Sequence, residues 1–234
     1  MTDEKKAAPF ENCICRQGPP EETMMDMDGG EKQLARPKLL LHSCCGPCST
    51  SCVERLAADY EITVFFYNPN ITDRAEYEKR KENQIRFIEA YNEKKQAPFK
   101  VSFMEGDYDT EAYIRLCGPF ADEPEGSHRC ELCFRKRLEK TAETAAMLNF
   151  DTFTTTLTVS PHKAYDVISS IGRKVADIYK VGYLDIDFKK KDGFKRSIEL
   201  SREYGLYRQN YCGCEWSKWD DDEKGNETEK GVEK

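Results

Sequence analysis

Lys38-Leu39-Leu40-Leu41-His42-Ser43-Cys44-Cys45-Gly46-Pro47-Cys48 is the stretch on which the reading of the whole chain turns. Behind Pro37, Lys38–His42 is a short apolar run of the kind a buried strand needs. It ends in a polar loop, and a helix is predicted to begin near Cys48, because Pro47 suits a first helical turn, where its missing N–H needs no partner. Strand, tight loop, helix is the repeating step of an α/β fold. Working outward, residues 62–67 form a second β-rich run, broken by Asn68-Pro69-Asn70. Asp73 with Glu76 marks a helix start, and Tyr77, Ile85, Ile88 and Tyr91 follow at helical spacing. Residues 100–104 are a third strand, 131–148 a helix and 153–159 a fourth strand. Ser160-Pro161 opens a helix running to about residue 181. A last helix over 194–204 stops at Gly205, a left-handed cap. The alternation predicts a single Rossmann-like α/β domain with a mostly parallel sheet flanked by helices. Ligands in such a sheet bind beyond the C-terminal strand ends, where the cysteine loop falls.

The chain has 234 residues, enough for one domain with loose ends. Residues 1–36 are polar and without periodicity and are expected to be a disordered tail. Residues 37–216 form the catalytic domain, and 217–234 an acidic tail. Of the net charge of −7, each tail carries −3, leaving the core at −1, so a basic face for nucleic acid is neither shown nor excluded. There is no run of 18 apolar residues and no basic-then-apolar leader, so a cytoplasmic protein without membrane partner is expected.

Eleven cysteines are many for such a protein, and in a reducing compartment clustered cysteines read as metal ligands or redox groups. Cys44, Cys45 and Cys48 sit where a helix N-terminus stabilises thiolates. Cys52, one turn on, reads as core. Arg129-Cys130-Glu131-Leu132-Cys133 adds a C-x-x-C at a helix start. Cys44, Cys45, Cys130 and Cys133 together supply the four thiolates of a cubane cluster. Zinc is the rival, although structural zinc sites favour two C-x-x-C knuckles in a short module. In Cys212-Gly213-Cys214 a disulfide would close a strained, easily reduced ring, eased by the glycine. Two further ligands or two inert thiols are the alternatives. Cys117 reads as structural, Cys13 and Cys15 as incidental thiols, His162 as a surface residue, and His42 as buried and hydrogen-bonded. Three basic clusters (Arg74 with Lys79, Arg80 and Lys81; Arg135 with Lys136 and Arg137; Lys189–Lys191 with Lys195 and Arg196) read first as solvated faces. The third is the strongest RNA-contact candidate.

These motifs occur in the order and spacing of a known family. His42 to Cys48, Tyr67-Asn68-Pro69-Asn70-Ile71, Gly106-Asp107-Tyr108-Asp109, Arg129 to Phe134, Thr155 to Pro161, Asp187-Phe188-Lys189-Lys190 and Tyr207 to Cys214 resemble the QueH family of epoxyqueuosine reductases over about residues 37–217. The resemblance implies an oxidoreductase that reduces epoxyqueuosine in tRNA to queuosine, the last step of queuosine biosynthesis, without cobalamin. It implies Cys44, Cys45, Cys130 and Cys133 as ligands of a [4Fe-4S] cluster and Cys212 with Cys214 as a redox-active disulfide. Cys48 is a candidate ligand for an additional mononuclear iron or zinc, and Asp107 and Asp109 are candidate ligands or proton donors. Tyr67, Asn68, Asn70, Tyr108, Arg129, Lys189 and Lys190 are expected at the substrate, a splayed anticodon-loop base. The implied partners are that tRNA and an electron donor the sequence does not identify. A zinc-stabilised RNA-binding module would explain four cysteines but not a Cys-Gly-Cys relay. A thiol–disulfide oxidoreductase would explain C-x-x-C but not the adjacent pair.

Overall fold

A computed structural model describes residues 36–94 and 100–217. The tails expected at 1–36 and 217–234 lie outside these residues apart from Arg36 and Ser217, as do Cys13 and Cys15. Five strands form one sheet in the order β3-β2-β1-β4-β5. They are β1 (Lys38–His42), β2 (Glu61–Phe66), β3 (Ser102–Glu105), β4 (Thr152–Thr155) and β5 (Gly182–Tyr183). Every pairing is parallel, with Leu40 opposite Thr63 on one side and Phe153 on the other. A parallel sheet needs crossovers and covers both faces with helices, so β1 is buried throughout after Lys38. The helices are α1 (Gly46–Leu56), α2 (Arg74–Glu93), α3 (Thr110–Cys117), α4 (His128–Met147), α5 (Tyr165–Tyr179) and α6 (Gly193–Glu203). The Rossmann-like reading is therefore borne out, with the sheet wholly rather than mostly parallel.

Two apolar clusters flank the sheet. One joins Leu39, Leu41, Val64, Phe87 and Phe188; the other joins Leu40, Phe65, Phe134, Leu138, Phe153 and Ile168. The alternation of Leu39 and Leu41 against Leu40 is the two-residue period of a strand buried on both faces. Local chemistry behaves as read at α2, where Asp73 accepts from the backbone N–H of Ala75 at 2.9 Å and of Glu76 at 3.3 Å.

Several boundaries differ from those expectations. The strand expected over 153–159 ends at Thr155 and continues as a 3-10 turn, Thr156–Val159. The Thr155 hydroxyl accepts from Leu157 N at 3.1 Å, a local bond that competes with the ladder. The helix expected from Ser160 begins at Tyr165 instead, because Ser160 closes a turn of its own and accepts from His162 N at 3.3 Å. The helix after the cysteine loop begins at Gly46, two residues before Cys48, and α4 begins at His128, so Cys130 and Cys133 both stand inside it. Helix α3 and the two-residue β5 have no counterpart in the sequence reading.

Candidate thiol-lined active site

The C-terminal ends of β1, β2 and β4 deliver the loops that make the site, and β1 delivers its cysteines. Cys45 is the extended residue before α1, and Gly46 allows the helix to press against α2, since a Cβ there would stand 3.0 Å from Asn83 O. The result is a compact sulfur triad: the Sγ atoms of Cys44, Cys45 and Cys48 all lie within 4.8 Å of one another, and Cys44 and Cys45 are 3.9 Å apart. Such a triad can hold a metal ion, since soft thiolates close together favour iron or zinc. The surroundings favour charge on one sulfur. Hydrogen bonds from Cys45 and Cys48, then the Lys163 ammonium and Thr156, hold the Cys44 thiol well below its ordinary range despite burial. Donating to that thiolate pushes Cys45 up to about 12 and Cys48 well up.

Cys130 and Cys133 stand in the first turns of α4, apart from that triad. They line a small cavity with Cys212 and Cys214. Burial pushes both thiols up, Cys133 to about 12. Cys212 also lines a larger cavity of about 270 Å³ together with Cys44 and Cys48. The two thiol groups and the Cys-Gly-Cys turn thus share walls. Cys212 and Cys214 are free thiols here.

That turn is clamped from α2. Arg80 is 2% exposed; its Nε donates to Glu76 at 2.6 Å, Nη1 to Cys212 O at 3.1 Å and Nη2 to Tyr211 O at 3.3 Å. The Tyr207 hydroxyl donates to the same Glu76 carboxylate at 3.2 Å. Gly213 has φ of +115°, and a Cβ on it would come within 2.8 Å of Ile71 Cγ1, so both conformation and space require glycine.

Cations were the main omission of the sequence reading. Arg80 and Arg137 belong to clusters read as solvated faces, yet both are buried. Their stripes carried a signal: Arg80 falls in register with Tyr77, Gln84, Phe87 and Tyr91, and Arg137 with Cys133, Phe134, Leu138 and Thr141, all buried positions. Lys163, half-buried on the loop before α5, has no such pattern around it. Arg80, Arg137 and Lys163 all line the 270 Å³ cavity. Burial alone would lower the Lys163 ammonium, but Cys212, Cys44 and Cys48 outweigh it and raise it. Arg137 donates through Nε to Cys133 O at 3.3 Å, while its Nη2 is buried with no partner among the described residues. A buried guanidinium N–H without an acceptor, beside thiols, is what an anionic, thiolate-bound metal group would satisfy.

The remaining expected residues surround the site more distantly. Asn68 is fully buried and donates to Ser43 O at 2.8 Å, and Asn70 donates to Cys212 O at 3.4 Å. The Tyr108 hydroxyl donates to Ile71 O at 3.0 Å. Tyr67 donates to Asp109 at 3.0 Å, and Lys136 donates to the same carboxylate at 2.8 Å. Asp107 is exposed, 3.9 Å from Lys140. Arg129 is buried, donates to Phe120 O and Ala121 O, and lies 5.5 Å from the Trp216 ring centre. Lys189 donates to Lys163 O at 3.1 Å, bracing the loop that carries Lys163. Lys190 and Lys191 line a separate cavity of about 200 Å³ with Arg55 and Arg196. His42 is buried and hydrogen-bonded as expected, to Thr155 Oγ1 at 2.8 Å and Tyr67 O at 3.2 Å, and burial with the Arg137 charge lowers it to about 3, so it is neutral. Cys52 and Cys117 are fully buried, in keeping with structural roles.

A parallel α/β sheet that carries clustered thiols and buried cations at its C-terminal edge belongs to the cysteine-rich α/β enzymes. The particular kind follows from comparison. The chain belongs to the QueH family of epoxyqueuosine reductases, whose family model matches residues 39–220. It is 44% identical over 184 residues to "Epoxyqueuosine reductase QueH" of Streptococcus pyogenes serotype M1, covering 79% of this chain and 71% of that one. The Staphylococcus aureus (strain Mu50) protein of the same name is 41% identical over 186 residues, covering 79% and 77% of the two chains. That of Thermotoga maritima is 35% identical over 182 residues, covering 76% and 89%. Among the described residues no helix is long and apolar enough to cross a membrane.

Proposed function

We propose that this chain reduces epoxyqueuosine in tRNA to queuosine. The observation that carries the reading, beside family membership, is the 270 Å³ cavity, which brings Cys44, Cys48 and Cys212 to one space rimmed by Arg80, Arg137 and Lys163. Cys44, Cys45, Cys130 and Cys133 would hold a [4Fe-4S] cluster, with Cys48 available to a second iron or zinc. The donor set and the orphaned Arg137 N–H suit such a group. When bound, the cluster supplies electrons one at a time and a Lewis-acidic pull on oxygen.

Turning an epoxide into an alkene breaks two C–O bonds, forms the C=C double bond and releases the oxygen as water, using two electrons and two protons. The Cys212–Cys214 dithiol matches that need, since its oxidation to a disulfide yields two electrons and two protons. An external electron donor must then reduce the pair again. Arg137 and Lys163 place fixed positive charge where the oxygen departs, and preorganised charge of this kind stabilises a developing oxyanion. The base enters the cavity unstacked from the anticodon loop. Lys189, Lys190 and Lys191 take phosphate, while Tyr67, Asn68, Asn70, Tyr108 and Arg129 support the site from outside the cavity lining, Asn68 through Ser43 O and Asn70 through Cys212 O. Asp109 ties Tyr67 to Lys136, and Asp107 is exposed near Lys140.

A second reading keeps the triad as a single zinc site in an RNA-binding module, since its compactness suits one ion. Anaerobic purification followed by metal analysis and incubation with epoxyqueuosine-bearing tRNA decides between them. Iron with acid-labile sulfide, and nucleosides that lose one oxygen atom, are expected. A colourless protein with stoichiometric zinc and no reduction would overturn the proposal.

A further inference from the structure

The cavity beside Cys44 contains two hydrogen-bond acceptors that the reduction does not use. Gln209 donates through Nε2 to Cys45 Sγ at 3.0 Å, which orients its amide, and its Oε1 is left buried with no partner among the described residues. Glu125, on the loop before α4, lines the same cavity. It is the only carboxylate among the described lining residues, and it forms no hydrogen bond or ion pair among them although Arg80, Arg137, Lys163 and Arg208 also line the space. The Gln209 acceptor is buried without a donor, an uncompensated desolvation that a ligand donor relieves, whereas the Glu125 carboxylate is exposed and lines the cavity as a charged acceptor. Two free acceptors therefore suit a ligand with two donors.

Among nucleobases, the guanine type alone presents two adjacent donors on its pairing edge, the N1–H and the exocyclic amine. A carboxylate accepts such a pair well, because charge-assisted, two-point hydrogen bonds are the strong ones. Enzymes that act on an extruded base read that same edge. The 7-deazaguanine of epoxyqueuosine keeps this edge and carries its epoxide-bearing arm on the other ring. We infer that Glu125 and Gln209 read the donor edge of a guanine-type base seated in the cavity, leaving the arm free to reach Cys44, Cys48 and Cys212. The inference rests on the proposed function for its substrate and assigns specificity, not chemistry, to these two residues.

The test uses the iron-loaded full chain and Glu125→Gln, with anticodon stem-loop RNAs that carry guanosine or inosine at the modified position. These differ only by the exocyclic amine. The wild-type chain is expected to bind the guanosine loop on the order of 10-fold tighter. Glu125→Gln should bring that ratio close to one with iron and sulfide content unchanged. An unchanged ratio in the variant, or no preference in the wild type, overturns the inference. So does loss of iron from the variant, which would make Glu125 part of the metal site. Reduction of epoxyqueuosine RNA by the same wild-type sample reports on the functional reading separately. A base preference that Glu125→Gln abolishes stands even where no reduction occurs.

Discussion

At the scale of single residues the sulfurs divide by role. Serine in place of Cys44, Cys45, Cys130 or Cys133 is expected to lose cluster iron and with it all reduction, because hard oxygen replaces soft thiolate. Iron and sulfide analysis of each purified variant checks this, and full content in any one removes that residue from the ligand set. Serine at Cys52 or Cys117, both fully buried and neither a member of the triad, should keep the cluster. Cys212→Ser and Cys214→Ser should behave differently from either group. Each should retain iron and colour but lose multiple turnover, since a lone thiol cannot cycle through an intramolecular disulfide. Wild-type turnover in either variant would send the search for the electron entry point elsewhere, and loss of iron would make that thiol a ligand.

At the scale of elements, the Cys-Gly-Cys turn depends on α2 and the loop after β2 for its place. Gly213→Ala puts a side chain at φ of +115° and within 2.8 Å of Ile71, against the Arg80 clamp. A cost of ~1–3 kcal/mol is expected, seen as a lower midpoint in chemical denaturation, together with faster alkylation of Cys212 as the turn is displaced. Helix α5 is tied to the segment after β5 by Asp185, which accepts from Ser169 at 2.7 Å, Tyr165 at 3.0 Å and Arg173 at 2.8 Å. Burial opposes the charge, but these three donors hold the Asp185 carboxyl below its ordinary value of 3.8. A depressed folded value means that its stabilisation is complete above that ordinary value and is lost as pH falls through the folded one. Asp185→Asn should therefore cost about 1 kcal/mol near neutral pH, and the gap between wild type and variant should close in strongly acidic urea titrations.

At the scale of the whole molecule, charge is arranged against the net figure. The chain as a whole is acidic, yet Arg80, Arg137, Lys163 and Arg208 converge on one cavity and Lys189, Lys190 and Lys191 cluster on the segment before α6. Replacing those three lysines with glutamine should weaken tRNA binding and flatten its salt dependence by ~0.7–0.9 in log–log slope for each phosphate no longer neutralised. An unchanged slope in fluorescence titrations across salt concentrations would leave the triplet an ordinary solvated face.

What the sequence determined by itself is what local order encodes. Lys38–His42 reads as a strand because its apolar run is contiguous, Asp73 reads as a cap because its acceptor and donors are neighbours, and Cys44, Cys45 and Cys48 read as a metal-binding group because one loop gathers them. The end of β4 was not legible, since Thr155 chooses between the ladder and Leu157 N by what surrounds it. Nor was the burial of Arg80 and Arg137. A basic residue on a helix is solvated by default, and only the packing of α2 beneath the 207–212 segment and of α4 against the sheet closes water out around them. The tertiary structure alone decided that Lys163, Gln209 and Glu125 share a cavity with Cys44 and Cys48, which are far away in sequence, because such convergence is set by the order of the strands and by which loops meet at their ends.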